Sequence, residues 1–146
     1  MQFMAEMFME GNEKMKYTDG KNIMVCVQSA DGAAIGAALE TVSKAAELAK
    51  AAGEEVLAVV FGKDTDTKPV IAAGAAKVLT AGSNELQAAE KAEILTKLVE
   101  KYQPKALYMA GTPEGKMIAP AVAAAFEFGC ATDVTGITAD GVYTTL

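Results

Sequence analysis

Lys105-Ala-Leu-Tyr-Met-Ala-Gly-Thr-Pro-Glu-Gly-Lys-Met-Ile-Ala-Pro-Ala-Val-Ala-Ala-Ala-Phe126 decides the fold of this chain. It reads as a buried strand, a tight polar turn and a buried helix, in that order. Ala106 to Ala110 is a short apolar run that stops at Gly111, as a parallel strand covered on both faces does. Thr112 to Lys116 follows as a loop at the carboxyl end of that strand. In open α/β sheets this edge collects ligands, because helix N-termini and backbone amides converge there. From Met117 to Phe128 the only polar residue is Glu127, so the helix is expected to be covered nearly all round. Pro120 is read as lying near its first turn, where a missing amide proton costs little.

Upstream, the same alternation repeats. Asn22 to Val27 is a near-continuous apolar run and reads as a central parallel strand, followed by the polar turn Gln28 to Gly32. A helix is expected from about Ala33 to Ala52, because Ile35, Leu39, Val42, Ala46 and Ala49 form one apolar stripe, and Gly53 stops it. Glu55 to Gly62 is the second strand. A charged loop from Lys63 to Pro69 leads to a short helix over Pro69 to Ala75 and a short third strand, Lys77 to Thr80, whose brevity suggests a sheet edge. Ser83-Asn84-Glu85-Leu86 looks like a capped helix start, and an apolar face runs from Leu86 to Tyr102. After Gly129, residues Cys130 to Thr138 read as a fifth strand, and Asp140-Gly141 as a turn toward another.

This order predicts an α/β fold with a doubly wound parallel sheet and right-handed crossovers. The strand order that fits is 3-2-1-4-5, with a crevice between the first and fourth strands flanked by Ser29 and Gly111. Residues 21–146 then form a single α/β domain, and residues 1–20 an N-terminal arm. In the arm, Met1, Met4, Phe8 and Met15 can line a helix face; alternatively Phe3 to Met9 pairs as an edge segment.

Composition narrows the function. The chain has 146 residues, is 51% hydrophobic and 22% charged, and carries a net charge of −6. Nucleic acid is a poor partner for it, since phosphate neutralisation needs clustered Lys and Arg. No apolar run reaches the roughly 18 residues of a membrane span. The acidic first ten residues lack the basic flank of a signal peptide, which places the protein in the cytoplasm. Without histidine or a CxxC, a zinc site or a His-based triad has almost no raw material, and no enzyme activity is expected. Cys26 and Cys130 are expected to be reduced.

Gly111-Thr-Pro-Glu-Gly-Lys-Met invites comparison with a phosphate loop. It has three residues between its glycines where the P-loop has four, and Met117 where that loop has the magnesium-holding hydroxyl. A weaker expectation survives: Lys116 and the first amides of the helix attract a phosphate or carboxylate. No GxGxxG follows the first strand, so a standard dinucleotide fingerprint is absent. Asp133 and Thr135 are read as turn residues.

Several of these blocks occur together in one family. Gln103-Pro104-Lys105, Gly111-Thr112-Pro113-Glu114-Gly115, Ala119-Pro120-Ala121-Val122-Ala123-Ala124 and Ala131-Thr132-Asp133-Val134-Thr135-Gly136 follow the order seen there. Ala72 to Val78 matches the approach to its third strand. Over about 22–140 the chain resembles the N-terminal domain of the electron transfer flavoprotein alpha subunit. The family's Gly-Arg-Asp reads Gly115-Lys116-Met117 here.

That resemblance implies a Rossmann-like fold of the adenine nucleotide alpha hydrolase type. It also implies a partner-associating component of electron transfer, paired with an electron transfer flavoprotein-type subunit or with itself. The alpha subunit carries FAD mainly on a C-terminal domain, and AMP belongs to the beta subunit. FAD or AMP is therefore conceivable by resemblance, while a full FAD site is not expected. The alternative is a small adenine-nucleotide-binding module, holding AMP, ATP or the AMP part of FAD near Ser29, Gly111, Thr112, Gly115 and Lys116.

Overall fold

The computed structural model describes residues 2–5, 17, 19–132, 134–137 and 143–145, with side chains for all of these except 2–5, 135 and 143–145. In chain order, β1 is Gln2–Ala5 and β2 is Ile23–Val27, and a two-residue hairpin, β3 (Ser29–Ala30) with β4 (Ala33–Ala34), precedes α1 (Gly36–Ala51). Then come β5 (Val56–Phe61), α2 (Lys68–Ala72), β6 (Lys77–Ala81) and α3 (Ala88–Tyr102). The chain continues through β7 (Ala106–Met109), α4 (Pro113–Phe126), β8 (Gly129–Ala131), β9 (Val134–Ile137) and β10 (Tyr143–Thr145).

Period-two alternation sorts the two layers. Ile23, Val25 and Val27 of β2 and Val56, Ala58 and Val60 of β5 pack with Val42, Ala45 and Ala49 of α1 and with Val70 of α2. Met24, Cys26, Val59, Phe61, Leu107 and Met109 face the other way, onto Leu95 and Val99 of α3 and Ile118, Val122 and Phe126 of α4. Because β2, β5 and β7 are buried on both faces, their sequences are continuous apolar runs.

The fold is the α/β, doubly wound arrangement the sequence predicts. The sheet has six strands in the order β6-β5-β2-β7-β1-β8. Pairings β6-β5, β5-β2 and β2-β7 are parallel, which is the expected 3-2-1-4 run, with β6 at the edge. Beyond β7 the order differs from the expectation. The place expected for the fifth strand is taken by β1, antiparallel to both β7 and β8. Gln2–Ala5 is thus an interior strand where the sequence suggested an edge segment or a helix. The expected fifth strand divides: Gly129–Ala131 completes the sheet, and Val134–Ile137 pairs with Tyr143–Thr145 in a separate two-stranded ribbon. The alternative helix face through Phe8 and Met15, residues 6–9 of the edge segment, Asp133 and the Asp140-Gly141 turn lie outside the described residues.

Three helix starts also differ. The helix expected from about Ala33 begins at Gly36, because Ala33–Ala34 pairs with Ser29–Ala30 as a hairpin. The helix expected from Ser83 begins at Ala88: Ser83 Oγ accepts the Glu85 N–H in a local turn at 3.1 Å, and Gln87 forms a capping box with Glu90. The helix expected from Met117 begins at Pro113, so Thr112 to Lys116 form its cap and first turn rather than a loop. Pro120 consequently sits in the helix interior. Nor is α4 covered all round. Met117 is 66% exposed, and Pro120, Ala121 and Ala124 line the same open face, since α4 is an outer-layer helix with a core on one side only.

Candidate functional site

The crevice between β2 and β7 lies where the sheet's winding reverses, since α1 leaves β2 toward one face and α4 leaves β7 toward the other. Cys26 pairs with Met109 in register, so Gln28 and Gly111 emerge side by side at the strand ends. Thr112 is the N-cap of α4. Its hydroxyl accepts the Gly115 N–H at 3.1 Å and donates to Gln28 Oε1 at 2.5 Å, spanning the crevice mouth.

Below that bridge is a charged pair. Lys91 is only 4% exposed although it lies on the apolar stripe of α3, one turn before Leu95. Its ammonium is 2.5 Å from Glu114 Oε1 and 3.3 Å from Asn84 Oδ1, and lies 5.4 Å from the Phe61 ring centroid. Asn84 Nδ2 in turn donates to the Ser29 carbonyl at 3.2 Å. Together with Cys26, Met109 and Ile118 these groups enclose about 10 Å³, room for about one water. Burial pushes the Cys26 thiol up to about 12, with Glu114 adding to the rise and Lys91 opposing it.

Of the residues the sequence singled out, Thr112 and Gly115 are hydrogen-bonded to each other at the crevice. Gly111 is exposed at its rim, and Ser29 is buried and joined to it through Asn84. Lys116 sits on the exposed face of α4, and the cation in the crevice is Lys91 instead. Lys91, Glu114, Asn84 and Gln28 were not singled out as a site. One signal for Lys91 was present: a charge interrupting the apolar stripe of its helix.

Gly115 is needed where it stands. A Cβ there would lie 2.1 Å from the Ala110 carbonyl oxygen, so only glycine lets the first turn of α4 close onto the end of β7. On the α1 side of the crevice, an open groove of about 280 Å³ runs past Gly111, lined by Glu40, Thr41, Lys44, Ala110 and Val134. Among the described residues there is no cluster of three or more metal-ligating side chains, and no helix is long and apolar enough to cross a membrane.

The electron transfer flavoprotein domain family matches residues 23–146. The electron transfer flavoprotein subunit alpha of Clostridium acetobutylicum is 32% identical over 132 residues, covering 86% of this chain and 39% of that protein. The chain thus spans about two-fifths of the length of this relative.

Proposed function

This chain belongs to the electron transfer flavoprotein domain family, and from that membership we propose that it is an alpha-subunit-type, non-enzymatic component of electron transfer in the cytoplasm. It works by associating with an electron transfer flavoprotein-type subunit, or with a second copy of itself, and has no full FAD site of its own.

Family membership carries the electron-transfer part of this reading. One observation supports the part that gives this domain no nucleotide of its own, namely that the crevice at the switch point is filled by the protein's own side chains. The Thr112–Gln28 bridge spans its mouth, the Lys91–Glu114 pair closes its floor, and the space between them is that of about one water. An adenine nucleotide or flavin does not fit there as these residues stand. The first turn of α4 has little left for a phosphate, since Pro113 has no N–H and Gly115 gives its own to Thr112.

The test is to mix the purified protein with an electron transfer flavoprotein beta-type subunit and follow both by size-exclusion chromatography and visible absorption. A mixed complex is expected, with the protein alone colourless. Stoichiometric flavin in the protein alone would overturn the reading.

The open groove beside Gly111 favours a second reading, an adenine-nucleotide-binding module; of Ser29, Gly111, Thr112, Gly115 and Lys116, Gly111 is the one that lines this groove. Its volume is just under the usual range for small-molecule sites. Thermal shifts with AMP, ATP and FAD test it: no rise in melting temperature at high ligand removes it.

A further inference from the structure

Buried lysines are rare and need a partner, and the two halves of the Lys91–Glu114 pair are held very differently. The Lys91 side chain is 5% exposed and is fixed from three sides by Glu114, Asn84 Oδ1 and the Phe61 ring. The Glu114 side chain is 25% exposed and projects from the first turn of α4, at the solvent edge of the crevice. A carboxylate in that position reaches water by a rotamer change. The ammonium cannot follow it without leaving the core.

We propose that Lys91, set in place by Asn84 and Phe61, is the binding group of an oxyanion site in the crevice, and that Glu114 is its exchangeable internal occupant. The ligand class is a small carboxylate or phosphate. The built-in carboxylate competes with it at the high effective concentration of a tethered group. This rests on the reading above that the crevice holds no nucleotide of its own, and it explains why a cleft at the sheet's switch point is closed by a charge pair rather than by apolar packing.

The test replaces the internal anion with an external one. Glu114→Ala leaves Lys91 buried beside a space the size of a carboxylate. Sodium formate and inorganic phosphate, each matched against sodium chloride at equal ionic strength, are then titrated in thermal unfolding. The expected result is a rise of roughly 2–6 °C for Glu114→Ala with at least one of them. A smaller rise with the same anion is expected for the native chain at the highest concentrations, where the external anion displaces Glu114, and its absence overturns the exchange. None is expected for Lys91→Met/Glu114→Ala. Formate alone active marks a carboxylate site, and phosphate active marks room for the larger anion; either supports the proposal. No anion-specific rise in Glu114→Ala, or an equal rise in the double variant, overturns it. Should Glu114→Ala not fold even in formate, Glu114→Gln decides, with anion-specific stabilisation for the proposal and its absence against it. A native chain stabilised by AMP or FAD instead defeats the closed-crevice reading, an outcome separate from these.

Discussion

The Thr112 hydroxyl lies 3.1 Å from the Gly115 amide and 2.5 Å from Gln28 Oε1, so one side chain caps α4 and ties the end of β7 to that of β2. The cap and the bridge are separate contributions of about 1 kcal/mol each. Thr112→Val keeps the shape and loses both, and is expected to cost about 2 kcal/mol in urea unfolding. Thr112→Ser keeps both and is expected to cost less than about 1 kcal/mol. Equal losses in the two variants would show that the methyl group, not the hydroxyl, matters.

Gly115 and Gly36 both lie in the first turn of a helix, where alanine ordinarily stabilises by up to about 1 kcal/mol. A Cβ at Gly36 meets nothing within 4 Å, so Gly36→Ala is expected to be neutral or stabilising. At Gly115 the added methyl would stand 2.1 Å from a backbone oxygen that no rotamer can move. Gly115→Ala is therefore expected to lose roughly 2 kcal/mol or more by differential scanning calorimetry, with the opposite sign to Gly36→Ala.

Much of the fold was legible because burial on both faces leaves a mark that composition alone carries. The runs at 23–27, 56–61 and 106–109 have that mark, and they form the parallel centre. The strand Gln2–Ala5 was ambiguous because a four-residue apolar segment carries no distinguishing period, and its pairing with β7 and β8 is a long-range choice. Pro120 misled for a related reason. Proline marks a helix start by preference, but Pro113 already holds the first-turn place, and Pro120 lies in the helix interior at the cost of one helical hydrogen bond. At the crevice, Thr112 and Gly115 could be read from the strand–turn–helix pattern. Glu114 and Lys91 could not be paired, since they come from different helices 23 residues apart.

The pair also predicts an asymmetry in stability. Lys91→Met strands a carboxylate that reaches water and places a similar-sized apolar group in the core, so a cost under about 1.5 kcal/mol is expected. Glu114→Gln leaves a buried ammonium facing a neutral amide, and a cost of roughly 3 kcal/mol is expected at pH 7. Urea unfolding of both variants checks the order.

Thiol chemistry separates the cysteines. Burial raises both thiols, but Cys26 is enclosed and pushed to about 12, whereas Cys130 is partly exposed. The thiolate is the reactive form, so at pH 8 Cys26 is ionised in only about one molecule in ten thousand. A chromogenic disulfide reagent is expected to label one thiol in the native protein and both after unfolding. Cys130→Ala should remove the native reaction and Cys26→Ala should leave it. A fast native reaction in Cys130→Ala would mean that the crevice opens often enough to expose its floor.

At the opposite end of the sheet, Glu54 fastens the strand starts, and it fixes how the protein responds to acid. Burial works to raise its carboxyl. The hydrogen bond from Lys105 Nζ, the Asn22 N–H at 2.6 Å and the charges of Lys105 and Lys21 outweigh that and hold it below the usual carboxylate range. A carboxyl lowered in the folded state contributes stability that is fully present above its unfolded value of about 4.3 and is lost as pH falls through the folded value. Glu54→Gln is therefore expected to be less stable than the native chain at pH 7, and the gap should close as pH drops below about 4. Lys105→Met removes the first-named partner, so the stability lost in acid should be smaller and the loss complete at a higher pH. Urea unfolding of the three proteins between about pH 3 and pH 7 measures both effects; a gap that stays constant across that range would show that Glu54 acts through its shape and not its charge.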